Sequence, residues 1–142
     1  MTLPLDSLVR DQRYEAEAFG DSPRMADELG ALVTSGRKTA TCWALWEAEL
    51  EGEAITEVGQ KTILLDGRGE PLCVIETTEV EVVAFEQVDK RFARDESEGD
   101  GSLRHWREEH QRFFSSTLPE IGREFSPQMP LICERFQKVY SR

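Results

Sequence analysis

Two consecutive runs of β-forming residues, joined by an Asp-Gly turn, limit the folds open to this chain more than any other feature. The runs are Lys61–Leu65 and Pro71–Ala84, and the Asp-Gly pair at 66–67 is typical of a tight hairpin. We expect the longer run to bend near Thr77, and a third β-rich run covers 131–140. Strands of this length, without a strand–helix–strand alternation, predict an α+β fold built on a small mixed β-barrel rather than a doubly wound sheet.

The sequence indicates one domain with a short N-terminal extension. The 142 residues contain no Pro/Ser-rich linker, repeat or low-complexity tract, which predicts a single domain over 1–142. Residues 3–19 have helical spacing, so we assign 1–19 as a helical extension packed on the domain. The chain start lacks the features of a signal peptide, and no apolar run approaches the ~20 residues that cross a bilayer. We therefore expect a cytoplasmic protein with no membrane partner.

The net charge restricts the partners further. The chain has 17 Lys and Arg against 28 Asp and Glu, which gives −11 at pH 7. So acidic a chain lacks the general positive field that holds long stretches of phosphate backbone, and we expect no binding to duplex DNA. A nucleic-acid partner would need a local basic pocket, which favours single-stranded RNA, a nucleotide or a nucleoside. The sequence does not decide between a monomer and a homodimer.

The densest group of cations and hydroxyls is the Gly-Arg-Lys-Thr-Ala-Thr segment at 36–41, the basic loop. A Ser-Pro pair at 22–23 begins an amphipathic helix before it, and Gly36 is the residue type that ends a helix in the left-handed conformation. Residues 42–51 again have helical spacing, with Thr41 as the predicted N-cap. A Lys, a Thr and a helix N-terminus so close together predict an anion-binding corner. The plain alternative is a solvated helix cap without a ligand.

A cluster of carboxylates precedes the last predicted helix. Four lie within 95–100, among them Glu96, Glu98 and Asp100. The spacing does not fit an EF-hand loop, which needs Gly at the position of Asp100. Neighbouring carboxylates repel one another, so some of them require a cationic partner or a raised pKa. We therefore predict that Lys38 of the basic loop lies within hydrogen-bonding distance of Glu96 or Glu98, directly or through one water.

The cysteine and histidine spacings contain no metal motif. Cys42, Cys73 and Cys133 form no Cys-x-x-Cys pair and are odd in number, which argues against a zinc site or a disulfide framework. We therefore assign no metal ligands. Cys42, beside the basic loop, is either a nucleophile or a packed thiol. His110 lies on the apolar face of the helix that Ser102 is placed to cap, where it is either a buried structural histidine or a base.

Taken in order, these stretches resemble the ASCH family, the RNA-associated relatives of the PUA domain. The resemblance covers roughly 19–140, and its ordered set of motifs is more specific than any single one. The resemblance implies a PUA-like fold, in which helices pack around a small mixed barrel. The matching stretches are Phe-Gly-Asp-Ser at 19–22, Ala-Asp-Glu-Leu at 26–29, the basic loop, the acidic stretch at 93–100, Ser102-Leu103, Trp106, His110, Phe113-Phe114 and Cys133-Glu134-Arg135-Phe136.

Within that family, the relatives that hydrolyse N4-acylated cytidines use a Lys, a Thr three residues later and a distant Glu. The resemblance places these roles on Lys38, Thr41 and Glu96, with Glu98 as the alternative acid. A Thr needs a neighbouring base to become a nucleophile, and a Lys serves as that base only when its surroundings favour the neutral amine. Those relatives carry an Arg two residues after the Thr, whereas this chain has Trp43.

Longer bacterial members of the family resemble this chain more closely, and they are implicated in metal-dependent cleavage of single-stranded RNA. The first hypothesis is therefore a ribonuclease acting on single-stranded RNA, with Mg²⁺ or Mn²⁺ as its cofactor. The alternatives are an N4-acylcytidine amidohydrolase and a non-catalytic module that binds RNA or a nucleotide. The candidate site has three catalytic residues, Lys38, Thr41 and Glu96, and four binding residues, Arg37, Thr39, Glu98 and Asp100.

Overall fold

The computed structural model describes residues 14–20 and 22–141 and has an α+β architecture. Within those residues, five strands form one mixed sheet and four helices pack around it. Two short 3-10 helices follow β4 and α4, and none of the described helices is long and apolar enough to cross a membrane. In chain order the elements are β1 (Glu15–Glu17), α1 (Pro23–Thr34), β2 (Ala40–Ala44), α2 (Leu45–Glu51), β3 (Lys61–Leu65), β4 (Pro71–Ala84), α3 (Lys90–Glu96), α4 (Leu103–Thr117) and β5 (Pro130–Ser141).

The hairpin predicted from the Asp-Gly turn is confirmed at the centre of the sheet. The strand order is β1-β3-β4-β5-β2, in which β1 runs parallel to β3 and the other neighbours are antiparallel. The register of β4 against β5 shifts between Val74 and Ile75 and again between Thr77 and Glu79, where a bend is predicted. Such irregularities increase twist, so the sheet curls into a half-barrel. The predicted α+β fold on a small mixed barrel is confirmed.

Helix α1 forms as its capping residues predict. The Ser22 hydroxyl accepts a hydrogen bond from the Met25 N–H at 3.1 Å, and a proline occupies the first turn. After the helix ends, Gly36 has a φ of 82°. Glycine adopts this left-handed conformation without strain, so the chain reverses and the basic loop folds back onto the end of α1.

The helix predicted over 42–51 is wrong in its first part. The strand β2 occupies that part and pairs with residues 131–135 of β5, with Thr41 opposite Glu134. Helix α2 begins only after the strand and has no side-chain cap, so Thr41 is not an N-cap. The prediction that a helix N-terminus contributes to an anion-binding corner at the basic loop is therefore also wrong. A short apolar run fits both helical and strand spacing, and the backbone groups of β5 determined the outcome by pairing with it.

The predicted N-terminal helical extension is wrong where the structure describes it. Glu15–Glu17 is strand β1, which pairs in parallel with residues 62–64 of β3. This pairing satisfies backbone N–H and C=O groups of the segment, and the local helical spacing does not reveal it. Residues 1–13 of the predicted extension lie outside the described residues.

Two main buried clusters form the core. The larger one packs α3 and α4 against β2 and β5 and contains Phe85, Trp106 and Phe114. The smaller one joins α1 to β3, β4 and β5 through residues such as Leu29 and Leu64. Trp106 and Phe114 lie on the apolar face predicted for α4, and the rings of Phe85 and Trp106 have centroids 5.1 Å apart. The helix that carries the two histidines is thus fixed to the sheet.

Phe114→Ala should lower the free energy of unfolding by about 3–5 kcal/mol, because it leaves a cavity in the core. Phe114 is 1% exposed, whereas its neighbour Phe113 is only partly buried. Phe113→Ala should therefore cost clearly less. Urea denaturation followed by tryptophan fluorescence measures both values. Equal losses would contradict the assignment of Phe114 to the centre of the larger cluster.

Candidate functional site

Lys38 is buried, with only 2% of the residue exposed. Its backbone N–H donates to the Leu32 carbonyl at the end of α1 at 3.1 Å, and the N–H of Thr39 donates to the Asp95 carbonyl at 2.8 Å. The Thr39 carbonyl accepts a hydrogen bond from the Phe136 N–H of β5 at 3.0 Å. The basic loop is therefore bound to α1, α3 and β5, which holds the Lys38 side chain at the end of α3.

The Lys38 ammonium contacts both acids that the sequence proposes for it. Its Nζ lies 3.0 Å from Glu98 Oε2 and 3.8 Å from Glu96 Oε2. It also donates a hydrogen bond to the backbone carbonyl of Glu96 at 3.4 Å. The predicted contact is confirmed as a direct hydrogen bond to Glu98, with Glu96 at ion-pair distance. Burying an ammonium costs several kcal/mol unless opposite charges compensate it, so Lys38 is buried here only because these acids accompany it.

Both ring nitrogens of His110 face oxygen atoms. Nε2 lies 3.2 Å from Glu96 Oε2, and Nδ1 lies 2.8 Å from the Trp106 carbonyl oxygen. The imidazole also stacks on the Trp106 ring, with centroids 4.2 Å apart and planes 16° from parallel. Two facing acceptors favour the imidazolium, which carries a proton on each nitrogen. Burial alone would lower the pKa of His110, but Glu96, Glu98 and the Trp106 carbonyl together raise that pKa above its ordinary value.

The two carboxylates beside Lys38 have opposite pKa shifts. Burial would raise the pKa of Glu96, yet the charges of Lys38 and His110 hold that pKa below its ordinary range. Burial raises the pKa of Glu98 against the opposing effect of Lys38, and the charge of Glu96 raises it further. The Glu96 carboxylate is therefore the one held in its charged form, and Glu98 is the acid that takes up a proton more readily.

Ser97 separates these two acids and has a φ of 60°, in the left-handed region. Helix α3 ends at Glu96, and the Ser97 N–H donates to the Ala93 carbonyl at 3.2 Å. In a continuing helix, Glu96 and Glu98 would be about 200° apart around the axis. The left-handed turn therefore brings both carboxylates to one lysine.

Lys38, Thr41, Glu96 and Glu98 line one cavity of about 1190 Å³, which we call the main cavity. His110 also lines it. Carboxylates far outnumber cations among the described lining residues, where Lys38 and the charged His110 are joined by one arginine, Arg112. The other acids of its wall are Glu15, Glu17, Glu28, Glu47, Glu51, Glu53, Glu57, Glu109 and Glu134.

Thr41 and Glu134, a carboxylate that the sequence did not predict as a site residue, both line the main cavity. Glu134 of β5 lies opposite Thr41, and its Oε2 accepts a hydrogen bond from Trp43 Nε1 at 3.0 Å. Burial raises the pKa of Glu134, and hydrogen bonds from Thr56 and Trp43 counteract that effect. The signal for this residue is an acid within an otherwise strand-forming run that contains no other carboxylate.

Three predicted binding residues lie outside the described wall of the main cavity. Arg37 is exposed on the loop surface. Thr39 connects the loop to α3 and β5 through its backbone. Asp100 is exposed, and its carboxylate accepts a hydrogen bond from the Ser102 N–H at 2.9 Å at the start of α4. The fold thus brings Lys38, the two neighbouring acids and Thr41 into one cavity but leaves these three outside it.

The family model of the ASCH domain matches residues 15–140, nearly the whole described chain. The chain belongs to the ASCH domain family. Protein EF3133 from Enterococcus faecalis V583 is similar to this ASCH domain, with 39% identity and a TM-score of 0.83 over 99% of this chain and 79% of that chain. The ASCH domain from Lactobacillus crispatus JV V101 has 33% identity and a TM-score of 0.86 over 97% of this chain and 87% of that chain.

A more distant likeness shows the fold alone. The hypothetical protein PH0355 is 12% identical, with a TM-score of 0.55 over 79% of this chain and 92% of that chain. No protein of curated function matches this ASCH domain. The ASCH family membership and the PUA-like fold inferred from the sequence motifs are confirmed.

The pKa of His110 predicts a pH-dependent stability. The pKa of His110 in the folded state is raised above the ordinary 6.5. The charged histidine therefore contributes stability that is fully present below pH 6.5. This stability is lost as the pH rises through the folded-state pKa. From about pH 6.5 to 8, the free energy of unfolding of the wild type should fall more steeply than that of His110→Gln.

Urea titrations across this pH range, with a chelator present, measure both slopes. His105→Gln changes a histidine of the same helix outside the ion pair with Glu96 and serves as the control. It should keep the wild-type slope. Parallel curves for the wild type and His110→Gln would contradict a charged His110–Glu96 pair.

Proposed function

We propose that this ASCH domain hydrolyses the amide bond of an acylated cytidine or of a nucleoside with the same chemistry. The observation that carries the proposal is the burial of Lys38 between Glu96 and Glu98 at the wall of the cavity that Thr41 also lines. These are the positions that the resemblance assigns to a Lys–Thr–Glu hydrolase. Since Lys38 contacts both acids, both belong to the proposed site.

The charge of the main cavity supports a neutral nucleoside as substrate rather than a polynucleotide. A phosphate chain inside it would meet an excess of glutamates, and like charges repel strongly where water is partly excluded. Carboxylates accept hydrogen bonds from amino groups, including the amino group of cytosine. Glu134, next to Thr41, is the carboxylate suited to that contact.

In the first proposed step, Lys38 gives a proton to Glu98, which lies 3.0 Å from its Nζ, and the neutral amine then takes the proton of Thr41. The Thr41 oxygen bonds to the acyl carbon. The C–N bond breaks, and the leaving amino group receives the proton from Lys38. The acyl group is then held as an ester of Thr41, and Lys38 is again a neutral amine.

In the second step, water attacks this ester and gives its proton to Lys38. The carboxylic acid leaves, and the Thr41 oxygen recovers a proton from Lys38. Glu98 then returns the first proton to Lys38. The net reaction consumes one amide and one water and releases one amine and one acid.

A ribonuclease acting on single-stranded RNA is the second candidate, and a basic surface on α3 favours it. Lys90, Arg91 and Arg94 line a smaller cavity of about 440 Å³, together with Asp100 and Ser102. Three cations grouped on an acidic protein can bind a few phosphates of a single strand.

The acids beside Lys38 do not fit the Mg²⁺ or Mn²⁺ expected for such a ribonuclease. Magnesium requires near-octahedral oxygen ligands and usually keeps several waters. These acids already pair with Lys38 and His110, and the other donors beside Glu96 are an imidazole and a thiol, which a hard dication binds poorly. We therefore assign no step to either ion.

Two substrates assayed side by side distinguish the candidates. The purified protein should release cytidine from N4-acetylcytidine, and a chelator should not reduce the rate. A single-stranded RNA oligonucleotide should remain intact under the same conditions. Chelator-sensitive RNA cleavage without deacylation would favour the ribonuclease. Saturable binding of either ligand without turnover would favour the non-catalytic module.

Replacement of Lys38 should remove the proposed activity. Lys38→Arg keeps the positive charge but cannot deprotonate, so kcat should fall by about 10²–10⁴-fold. Lys38→Met should be equally inactive and less stable, because it leaves Glu98 and the buried Glu96 without the charge of the lysine. Lys61→Ala changes a lysine that pairs with Glu76 at 3.5 Å outside the main cavity and is the matched control.

Melting temperatures of all variants separate lost chemistry from lost folding. If Lys38→Met does not fold, Lys38→Arg still decides the question, since it retains a cation for both acids. Full activity of folded Lys38→Arg would contradict proton transfer by Lys38.

A further inference from the structure

The geometry points to a binding site for a borderline-soft divalent metal ion, Zn²⁺ or Co²⁺, formed by Cys42, Glu96 and His110. The three residues come from β2, α3 and α4, and one donor atom of each lies within 4.8 Å of the others. They are far apart in sequence and match no metal motif, which is why their spacing did not predict the site. This inference does not rest on the proposed reaction, because metal binding is measured without substrate.

The donor atoms are close to the spacing that a tetrahedral metal requires. Zinc bonds of about 2.0–2.3 Å place neighbouring donors about 3.3–3.6 Å apart. His110 Nε2 and Glu96 Oε2 are already 3.2 Å apart. Because the donor atoms lie within 4.8 Å of one another, the Cys42 sulfur has to move by at most about 1.5 Å to reach that spacing. A rotation of its side chain supplies a movement of that size.

His110 is supported as metal-binding histidines usually are. Its Nδ1 lies 2.8 Å from the Trp106 carbonyl, and its ring stacks on the Trp106 indole. A histidine that ligates a metal through one nitrogen commonly donates the other N–H to a backbone carbonyl, which fixes the ring. Nε2 therefore faces Glu96 and can exchange its proton for a metal.

Glu96 supplies an oxygen that the fold leaves unsatisfied. Its Oε1 is buried and accepts no hydrogen bond from any residue in the described part of the chain. The other oxygen, Oε2, faces Lys38 and His110. Buried polar atoms without a partner are rare and unfavourable in folded proteins, and a metal ion bound by both oxygens of the Glu96 carboxylate would satisfy this one.

The donor set selects the class of metal. One sulfur, one imidazole nitrogen and one carboxylate oxygen suit Zn²⁺ and Co²⁺, whereas Mg²⁺ prefers oxygen donors throughout. Cys42, Glu96 and His110 all line the main cavity. Three protein ligands beside a cavity leave a fourth position for water, as in catalytic zinc sites.

Lys38 limits the affinity of this site. Its Nζ is 3.8 Å from Glu96 Oε2, so the ammonium and the metal ion compete for one carboxylate. The contact with Glu98 gives Lys38 a second acid to pair with. Lys38→Met removes the competing charge and should therefore raise the affinity for Co²⁺ at least tenfold if the variant folds.

The test is a titration of the full chain, reduced and freed of metal, with Co²⁺ alone. The wild type should develop a thiolate-to-cobalt charge-transfer band and the visible bands of tetrahedral Co²⁺, and Zn²⁺ should abolish both. Cys42→Ser should lose the charge-transfer band, and His110→Gln should bind Co²⁺ at least tenfold more weakly. Cys73→Ala removes a buried thiol of the smaller core cluster and should keep the wild-type spectrum.

Circular dichroism of each variant reports folding. Absence of the charge-transfer band in the wild type would overturn the inference, as would its persistence in Cys42→Ser. If Cys42→Ser does not fold, the folded His110→Gln variant decides, and an unchanged Co²⁺ affinity there would also overturn the site. None of these outcomes depends on hydrolysis of a nucleoside, and a failure of hydrolysis leaves the spectra unchanged.

Discussion

The ion cluster around Lys38 is the interaction on which the rest of the site depends. A lysine that is 2% exposed is stable only when acids reach it, and here Glu98 lies at 3.0 Å and Glu96 at 3.8 Å. Removing one partner of a buried pair leaves an uncompensated charge, which costs more than the intact pair contributes. The basic loop and the end of α3 must therefore fold together. The left-handed turn at Ser97 makes this possible because it brings both acids to the same side.

The cluster extends into the hydrophobic core through His110. This histidine binds Glu96 on one side and stacks on Trp106, which belongs to the larger core cluster, on the other. The same face of helix α4 therefore packs against the core and, through His110, holds the charged Glu96 in place. Changes in the core next to Trp106 are expected to shift the position of the charged groups. The electrostatics of the site and the packing of the sheet cannot be separated in this fold.

The main cavity combines the Lys38 ammonium and the His110 imidazolium with a wall of glutamates. This arrangement opposes polyanions at the position of Lys38 but provides acceptors such as Glu134 for amino and hydroxyl groups. The cations on α3 line a different and smaller cavity. A small nucleoside in the main cavity and a phosphate chain on α3 are therefore chemically distinct hypotheses about two surfaces. The donors of Cys42, Glu96 and His110 add a third chemistry, metal binding, at the wall of the first.

The sequence by itself determined the elements whose signals are local. The Asp-Gly hairpin, the capped helix ending before Gly36, the apolar face of α4 and the final strand all formed where predicted. The sequence also predicted that Lys38 pairs with the acidic stretch, because clustered carboxylates repel one another and need a cation beside them. Only the tertiary structure decided that Thr41 lies in a strand, since pairing with β5 overrode an ambiguous helical spacing. The contacts of Glu96 with His110 and Cys42 likewise depend on the tertiary structure. They require a backbone turn and the packing of three elements that are distant in the sequence, and no local sequence pattern predicts either.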